Sequence, residues 1–436
     1  MHKSIDDPDI PRLLIPPEDG SIKRFLPHFK GKYSLKDTFA ALNHQNYKLW
    51  FWGQMVSLFG SWMQATALAY FIYELTHSPA FLGYVGFASG IPAWIFTFYA
   101  GAVADRFERR KILIFTQSGM MLLSVLLAVL TFTNFIVPTH IIIISVFLGV
   151  MNAFDAPTRH AFVNELVGKD DLVNAIALNS TMFHTATSIG PAFGGIIYAL
   201  FGPAWCFTVN AISFSAVILS LSKMKFNYVP KLKPNNSIRF EIMDGFKYLF
   251  TQKDMLVFIL ITTMTSLFGT GLVTLFPAWA VQILHGDSTT NGFLQSARGI
   301  GAVVFALILA TINKYTSRGK LLSFTTLSFP LVLILFSFNR SLIISLLLLL
   351  FVGGFMISIY NLSNGLIQTK VSEKFRGRIM GIYSFSFLAF MPIGSLIIGV
   401  TAELFGTPLA ILINSVILLA IFIGLKLYYP QLSSSK

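Results

Sequence analysis

Twelve apolar runs follow one another between Tyr47 and Tyr429, and a run of about 20 such residues is what a helix needs to cross the roughly 30 Å hydrocarbon core of a bilayer. They read Tyr47–Tyr73, Leu82–Ala104, Ile112–Phe132, His140–Ala161, Ala175–Phe201 and Trp205–Leu221, then Met255–Ile283, Gly292–Ile312, Leu321–Phe338, Leu342–Ile367, Ile379–Leu404 and Leu409–Tyr429. Transmembrane strands would be about half as long and would alternate apolar with polar residues, so the runs predict helices. Of the 436 residues, 54% are hydrophobic and only 12% charged, against roughly 25% charged in a soluble domain. That imbalance excludes a soluble enzyme, a disordered chain and a fibrous one. The expected fold class is all-α and integral to the membrane, with twelve transmembrane helices.

Charge orients the runs. Basic residues gather in alternate loops: Arg106, Arg109, Arg110 and Lys111, then Lys169, then Lys223 through Lys253, then Lys314, Arg318 and Lys320, then Lys370, Lys374, Arg376 and Arg378. Arg340 is the only basic loop residue on the other side. Retention of Lys and Arg on the cytoplasmic side then places both termini inside, and the net charge of +13 is read as topology, not as nucleic-acid binding. The chain divides into a cytoplasmic polar tail (1–46), a six-helix bundle (47–221), a cytoplasmic central loop (222–254), a second six-helix bundle (255–429) and a short cytoplasmic tail (430–436). The first tail lacks the apolar core of a signal peptide, and its Lys23, Arg24, Lys30, Lys32 and Lys36 offer charge to anionic headgroups. In the central loop, Ile238, Ile242, Phe246, Leu249 and Phe250 keep helical spacing and predict an amphipathic helix on the inner membrane surface. Cys206 has no second cysteine to pair with and is expected to be a packing residue.

The two halves repeat. Gly83, Ala88, Gly90, Ile91, Ala93 and Phe96 recur at a near-constant offset as Gly292, Ala297, Gly299, Ile300, Ala302 and Phe305. Gly190, Gly195, Leu200, Phe201, Gly202 and Asn210 recur as Gly394, Gly399, Leu404, Phe405, Gly406 and Asn414. Six spans repeated in one orientation describe two bundles related by an axis along the membrane normal, an arrangement in which halves rock about a central site.

Three segments then carry a resemblance. Gly101-Ala-Val-Ala-Asp105-Arg106-Phe-Glu108-Arg109-Arg110-Lys111 resembles the loop motif of the major facilitator superfamily, with Glu108 where many members have Gly. Gly190-Pro191-Ala-Phe-Gly194-Gly195 is similar to the core of that superfamily's antiporter motif, with Ala177 and Ala186 in place of its upstream glycines. Phe154-Asp155-Ala-Pro157-Thr-Arg159-His-Ala161-Phe162-Val163, followed by Asn174-Ala-Ile-Ala-Leu178-Asn179, resembles the bacterial exporter branch that contains enterobactin-type siderophore exporters and macrolide efflux pumps. The resemblance runs from about Tyr47 to Tyr429. It implies the major facilitator fold in a bacterial inner membrane, and export of an amphipathic small molecule, siderophore or drug-like, by alternating access. It also implies a proton as coupling ion, membrane lipid as surroundings, no cofactor and a monomeric state. An uptake system or lipid-type carrier of the same fold is the alternative, and a non-transporting sensor a remote one. The sequence has no HExxH, no phosphate loop and no metal-spaced Cys/His set, so neither an enzyme nor a metal site is expected.

Candidate functional residues follow. The resemblance sets Asp105 against the N-terminus of span eleven, whose dipole favours an anion; with Gly101, Arg106, Arg109 and Arg110 it would hold the inner side shut, although topology alone explains the arginines. Gly190, Pro191, Gly194 and Gly195 form a small-residue face beside a helix bend, suited either to close packing or to the antiporter role. Asp155 and Arg159, four residues apart, share a helical face and must look toward protein or a wet cavity, as a structural pair or as a coupling and substrate element. Arg298 is the only basic residue deep in a span, where an isolated arginine costs about 3 kcal/mol or more; it either snorkels outward or meets an anionic part of the substrate. His184 is a packing residue or a proton carrier. Gln54, Trp62 and Gln64 on span one, and Asn361 and Asn364 on span ten, sit on spans that line the cavity in the resembling superfamily and suit a large amphipathic ligand. Ser61 follows Gly60 where many relatives carry an acidic residue, so the usual embedded carboxylate of span one is missing.

Overall fold

The computed structural model describes residues 39–168, 170–224, 238–312 and 316–431. The basic stretch of the first tail, Lys169, Lys314 and residues 225–237 of the central loop lie outside the described residues. Every described element is helical. The first bundle holds α1 (Gln45–Thr76), α2 (Pro79–Arg106), α3 (Arg109–Phe132), α4 (Pro138–Leu166), α5 (Leu172–Phe201) and α6 (Pro203–Lys223). A shorter helix, α7 (Ile238–Thr251), precedes the second bundle. That bundle holds α8 (Lys253–Ile283), α9 (Ser288–Ile312), α10 (Arg318–Phe338), α11 (Leu342–Lys370), α12 (Glu373–Phe405) and α13 (Thr407–Tyr428).

Eleven of these helices are long and apolar enough to cross a membrane by themselves. The twelfth, α5, is 30 residues long and passes through the same layer, but the stretch from its start to its middle carries Asn174, Asn179, Ser180, Thr181, His184, Thr185, Thr187 and Ser188. A span that lines a wet space can carry such residues; one facing lipid cannot. Large apolar side chains such as Phe115, Leu122, Leu307, Ile343 and Leu427 are exposed around the outside, as a lipid-facing belt requires. The chain is therefore a multi-pass membrane protein.

Local chemistry sets the helix ends. Ser78 caps α2 by accepting the amide of Phe81 at 3.2 Å, with Pro79 in the first turn, where its missing N–H is no loss. Gly202, at φ +87°, breaks α5 from α6, and Gly406, at φ +83°, breaks α12 from α13. Both turns need the left-handed region that glycine enters freely, so the internal repeat is also a repeat of backbone geometry.

The second bundle is built around one continuous apolar core, including Phe258, Phe276, Phe329, Phe336 and Ile359. Its first helix is irregular. From Thr265 to Gly269 α8 widens to a π-turn, and from Thr270 to Leu275 it tightens to 3₁₀; Gly269 and Gly271 lie in that stretch and Pro277 just beyond it, and such deviations often accompany functional sites. α7 adheres to the start of α12: Asp244 pairs with Arg378 at 3.3 Å, and Tyr248 stacks on Phe375 with ring centres 4.3 Å apart. The helix expected on the membrane surface is thus docked along one side against the second bundle, while Met243, Phe246 and Phe250 remain exposed.

The bundles meet along two seams, α2 on α12 and α5 on α9. The end carrying Arg106–Lys111 and Arg376–Arg378 is called here the basic end, and the opposite one the far end. Both seams are tight toward the far end. Gly83 lies so close to α12 that a Cβ there would sit 2.7 Å from the Ser395 carbonyl, and Gly195 lies against Ser288 and Thr289 of α9. Toward the basic end the α2–α12 seam loosens: a Cβ on Gly90 would meet Pro392, but one on Gly101 of α2 or on Gly381 of α12 would have no neighbour within 4 Å. The space between the bundles therefore opens at the basic end.

Candidate functional site

In the first bundle the buried carboxylate of Asp155 accepts hydrogen bonds from Thr116 Oγ1 at 2.9 Å and Gln117 Nε2 at 2.8 Å. Both donors come from α3, and Asp155 is 1% exposed. Arg159, one turn along α4, approaches with Nε 3.7 Å from Asp155 Oδ2. That distance is an ion pair without a firm hydrogen bond, so the carboxylate is held mainly by two neutral donors. Beside it lies a cavity of about 210 Å³, bordered by Gln54, Ser61, Trp62, Asn152 and Arg159. The Oε1 of Gln54 is buried there with no hydrogen-bond partner. Gln64 does not join it: this side chain turns into the bundle and accepts from Asn210 Nδ2 at 2.8 Å. Trp62 and Phe183 meet edge to face at 5.8 Å, and His184 lies edge-on to the same phenyl ring at 5.8 Å.

Across the gap, Arg298 on α9 is half-buried, and its Nε is enclosed without a hydrogen-bond partner. No carboxylate pairs with it among the described residues. The Tyr360 phenol of α11 is within electrostatic reach of the guanidinium, and that phenol meets Ser266 Oγ at 3.1 Å and Thr270 Oγ1 at 2.9 Å. Both hydroxyls come from the irregular stretch of α8. Tyr383 of α12 donates to the Tyr360 carbonyl at 2.8 Å. Asn364 accepts from Gln368 at 2.6 Å, and Asn361 is exposed. Arg298 thus stands at one edge of a set of hydroxyl groups, with its Nε left without a partner.

The motif residues at the basic end form a second cluster. Arg109 is 8% exposed and bonds Glu165 Oε1 at 2.7 Å, Asp105 Oδ1 at 3.1 Å, and the carbonyls of Ala104 and Ala161. Arg110 bonds the carbonyl of Ser222 at 2.8 Å, and Arg106 is exposed. The Asp105 side chain is 56% exposed and does not reach α12 in this open state; Arg109, one turn along, holds it instead. Gly101 has no neighbour within 4 Å of the position a Cβ would take. The small residues of α5 divide between two partners. Gly190 and Gly194 press on Trp62 and Met63 of α1, whereas Pro191 and Gly195 face α9. Pro191 lacks an N–H, and the amide of the next residue, Ala192, donates across the seam to Ser296 Oγ at 3.0 Å.

Several participants carried faint signals or none. Thr116 and Gln117 are a polar pair inside an otherwise apolar run, a visible hint. Tyr360 and Tyr383 look like ordinary aromatic spans in sequence, and only the packing of α8, α11 and α12 brings them together.

Residues 36–436 match the family described as transmembrane secretion effector. The chain belongs to this family. Among curated relatives, the chain is 26% identical over 364 residues to a staphyloferrin A transporter of Staphylococcus aureus, covering 82% of this chain and 90% of that protein. It is 24% identical over 417 residues to the enterobactin exporter EntS of Escherichia coli, covering 90% and 96%. Its fold is similar to the crystal structure of the nucleoside transporter NupG, with a TM-score of 0.69 at 16% identity over 88% of this chain and 98% of that one. It is also similar to a bacterial homologue of the lysosomal transporter Spinster in an inward-facing, unoccupied conformation, with a TM-score of 0.68 at 12% identity over 89% and 98%. The chain is therefore a transporter of the major facilitator fold acting on a small molecule.

Proposed function

We propose that the protein is a secondary active exporter of an anionic, oxygen-rich amphipathic molecule of the siderophore type, working by alternating access and coupled to protons. The observation that carries the reading is Arg298: a guanidinium with an enclosed, unpartnered Nε in the wall of a space open at the basic end. Its planar fork suits carboxylate or catecholate oxygens, which a lysine would not match. The hydroxyls of Tyr360, Ser266 and Thr270 add neutral donors beside it, and Trp62 and Phe183 supply apolar surface on the opposite bundle. The relatives named for a staphyloferrin and for enterobactin support the substrate class.

Asp155 is the group best placed to carry the coupling proton. It is a buried carboxylate in the wall of the polar cavity, it stands in for the acid that span one lacks, and its hydrogen-bond donors are neutral. With the basic end in the cytoplasm, both termini lie inside, the membrane is the bacterial inner membrane, and the open cavity receives its load from the cytoplasm. The protein works as a monomer, each polypeptide containing both halves of the cavity.

Reconstitution into proteoliposomes tests this. Purified protein should move a carboxylate- or catecholate-bearing siderophore, and an imposed pH gradient should accelerate it. Indifference to the gradient removes the proton coupling, and net movement toward the cytoplasmic face turns the exporter into an uptake carrier.

A further inference from the structure

The far end of the α2–α12 seam is closed by a contact that the motif residues do not include. Glu403, near the end of α12, places Oε2 on the first turn of α2: the Ser78 hydroxyl donates to it at 2.7 Å and the Ala80 amide at 3.2 Å. Ser78 is the residue that caps α2, so a carboxylate from the second bundle completes the cap of a helix in the first. α2 is 28 residues long, and its N-terminus concentrates partial positive charge where unpaired amides point outward. Around the contact, Gly83 and Gly399 bring the two backbones together, so the carboxylate cannot keep its partners once the helices separate.

We infer that Glu403 is the latch of the far end, and that it forms a reciprocal pair with Asp105. Each carboxylate sits near the C-terminal end of one helix of the seam. Glu403, on α12, reaches the N-terminus of α2. Asp105, on α2, is set by the superfamily resemblance against the start of α12 when the basic end closes. The same two helices thus carry a carboxylate-to-amide contact at either end, and rocking about the middle of the seam makes one while breaking the other. In this structure the Glu403 contact is made, and Asp105 rests on Arg109 at 3.1 Å. Charge-assisted hydrogen bonds at a helix N-terminus are among the stronger polar contacts, and both donors are surrendered to water when the far end opens. The inference rests on the alternating-access reading above.

Spin labels on the full-length protein in nanodiscs test it. One pair at Phe135 and Ile343 spans the far end, and another at Lys111 and Lys374 spans the basic end; all four side chains are exposed. Glu403→Gln should shift the populations toward a long far-end and a short basic-end distance by about 5- to 30-fold, the range that one or two kcal/mol produces. Asp105→Asn should shift them the opposite way. Ser78→Ala removes one of the two donors and should move the distances in the Glu403→Gln direction by less, which keeps the test available if the Glu403 variant is not recovered folded. If Asp105→Asn moves the distances while Glu403→Gln and Ser78→Ala leave them unchanged, the latch is wrong and the rocking survives. If none of the three moves either pair, the alternating-access reading falls with it.

Discussion

At the scale of single residues, the two bundles differ in the charge they hold. Asp155 is partnered by Thr116 and Gln117, whereas Arg298 keeps an unpartnered Nε. A cation with an enclosed, unpartnered donor is the more expensive arrangement, which makes its retention informative. Arg298→Gln should lower siderophore transport by roughly thirtyfold or more, equivalent to the loss of about 2 kcal/mol of charge pairing, and Arg298→Lys by less. Transport rates in inverted vesicles at matched protein levels check this, and normal transport by Arg298→Gln would leave the guanidinium as a side chain that merely reaches the interface. Asp155→Asn keeps one hydrogen-bonding oxygen but cannot ionise. Substrate exchange between equal concentrations should persist in that variant while stimulation by a pH gradient disappears; preserved stimulation would move the coupling group elsewhere. The charged positions of both sites were legible as charge inside apolar runs, a pattern that membrane burial makes rare. Their partners were not. Thr116 and Tyr360 acquire meaning only from helices that pack beside Asp155 and Arg298, and Gln64, which shares α1 with Gln54, proved to be bonded within the bundle to Asn210.

Among the helices, close approach is set by glycine where the backbone allows nothing larger. A Cβ on Gly194 would fall 2.7 Å from the Met63 carbonyl of α1. Gly194→Leu should therefore push α1 from α5 and destabilise the protein by about 1–3 kcal/mol, read as a lowered melting temperature in detergent. Gly101→Ala, where nothing lies within 4 Å, should melt like the parent; equal melting of both variants would show that the α1–α5 contact yields easily. Helix number and order were legible because each apolar run has its own length and punctuation, with Gly202 and Gly406 ending two spans in the same way. Two features were hidden. α5 is too polar over its first half to satisfy a simple hydropathy test, since its neighbours are a wet space and other helices, not lipid. The π and 3₁₀ turns of α8 follow from how Ser266 and Thr270 find Tyr360 and how Gly271 meets Gly394, contacts that no local pattern specifies.

For the whole molecule, two independent asymmetries point the same way. Basic side chains collect at one end, and the α2–α12 seam between the bundles stands apart at that same end. The first asymmetry belongs to membrane insertion, because Lys and Arg in short loops resist translocation; the second belongs to packing, because Gly83, Gly195 and Glu403 close the far end. An empty exporter that waits for cargo from the cytoplasm needs both to coincide, whereas an empty importer waiting for outside cargo needs them opposed. Asn361 is exposed on α11, and Cys206 is buried, so Asn361→Cys adds one accessible thiol without competition from the native cysteine. A membrane-impermeant maleimide should label Asn361→Cys rapidly in inverted vesicles and poorly in intact cells. Reporter fusions should agree, with cytoplasmic signals at Ser222 and Lys436 and the opposite at Pro138. If the thiol labels from outside intact cells while the fusions still place the basic end inside, the resting molecule opens to the exterior and the export reading loses its structural support. If the fusions themselves reverse, charge has misassigned the topology, and the open cavity then faces outward as an uptake carrier's would.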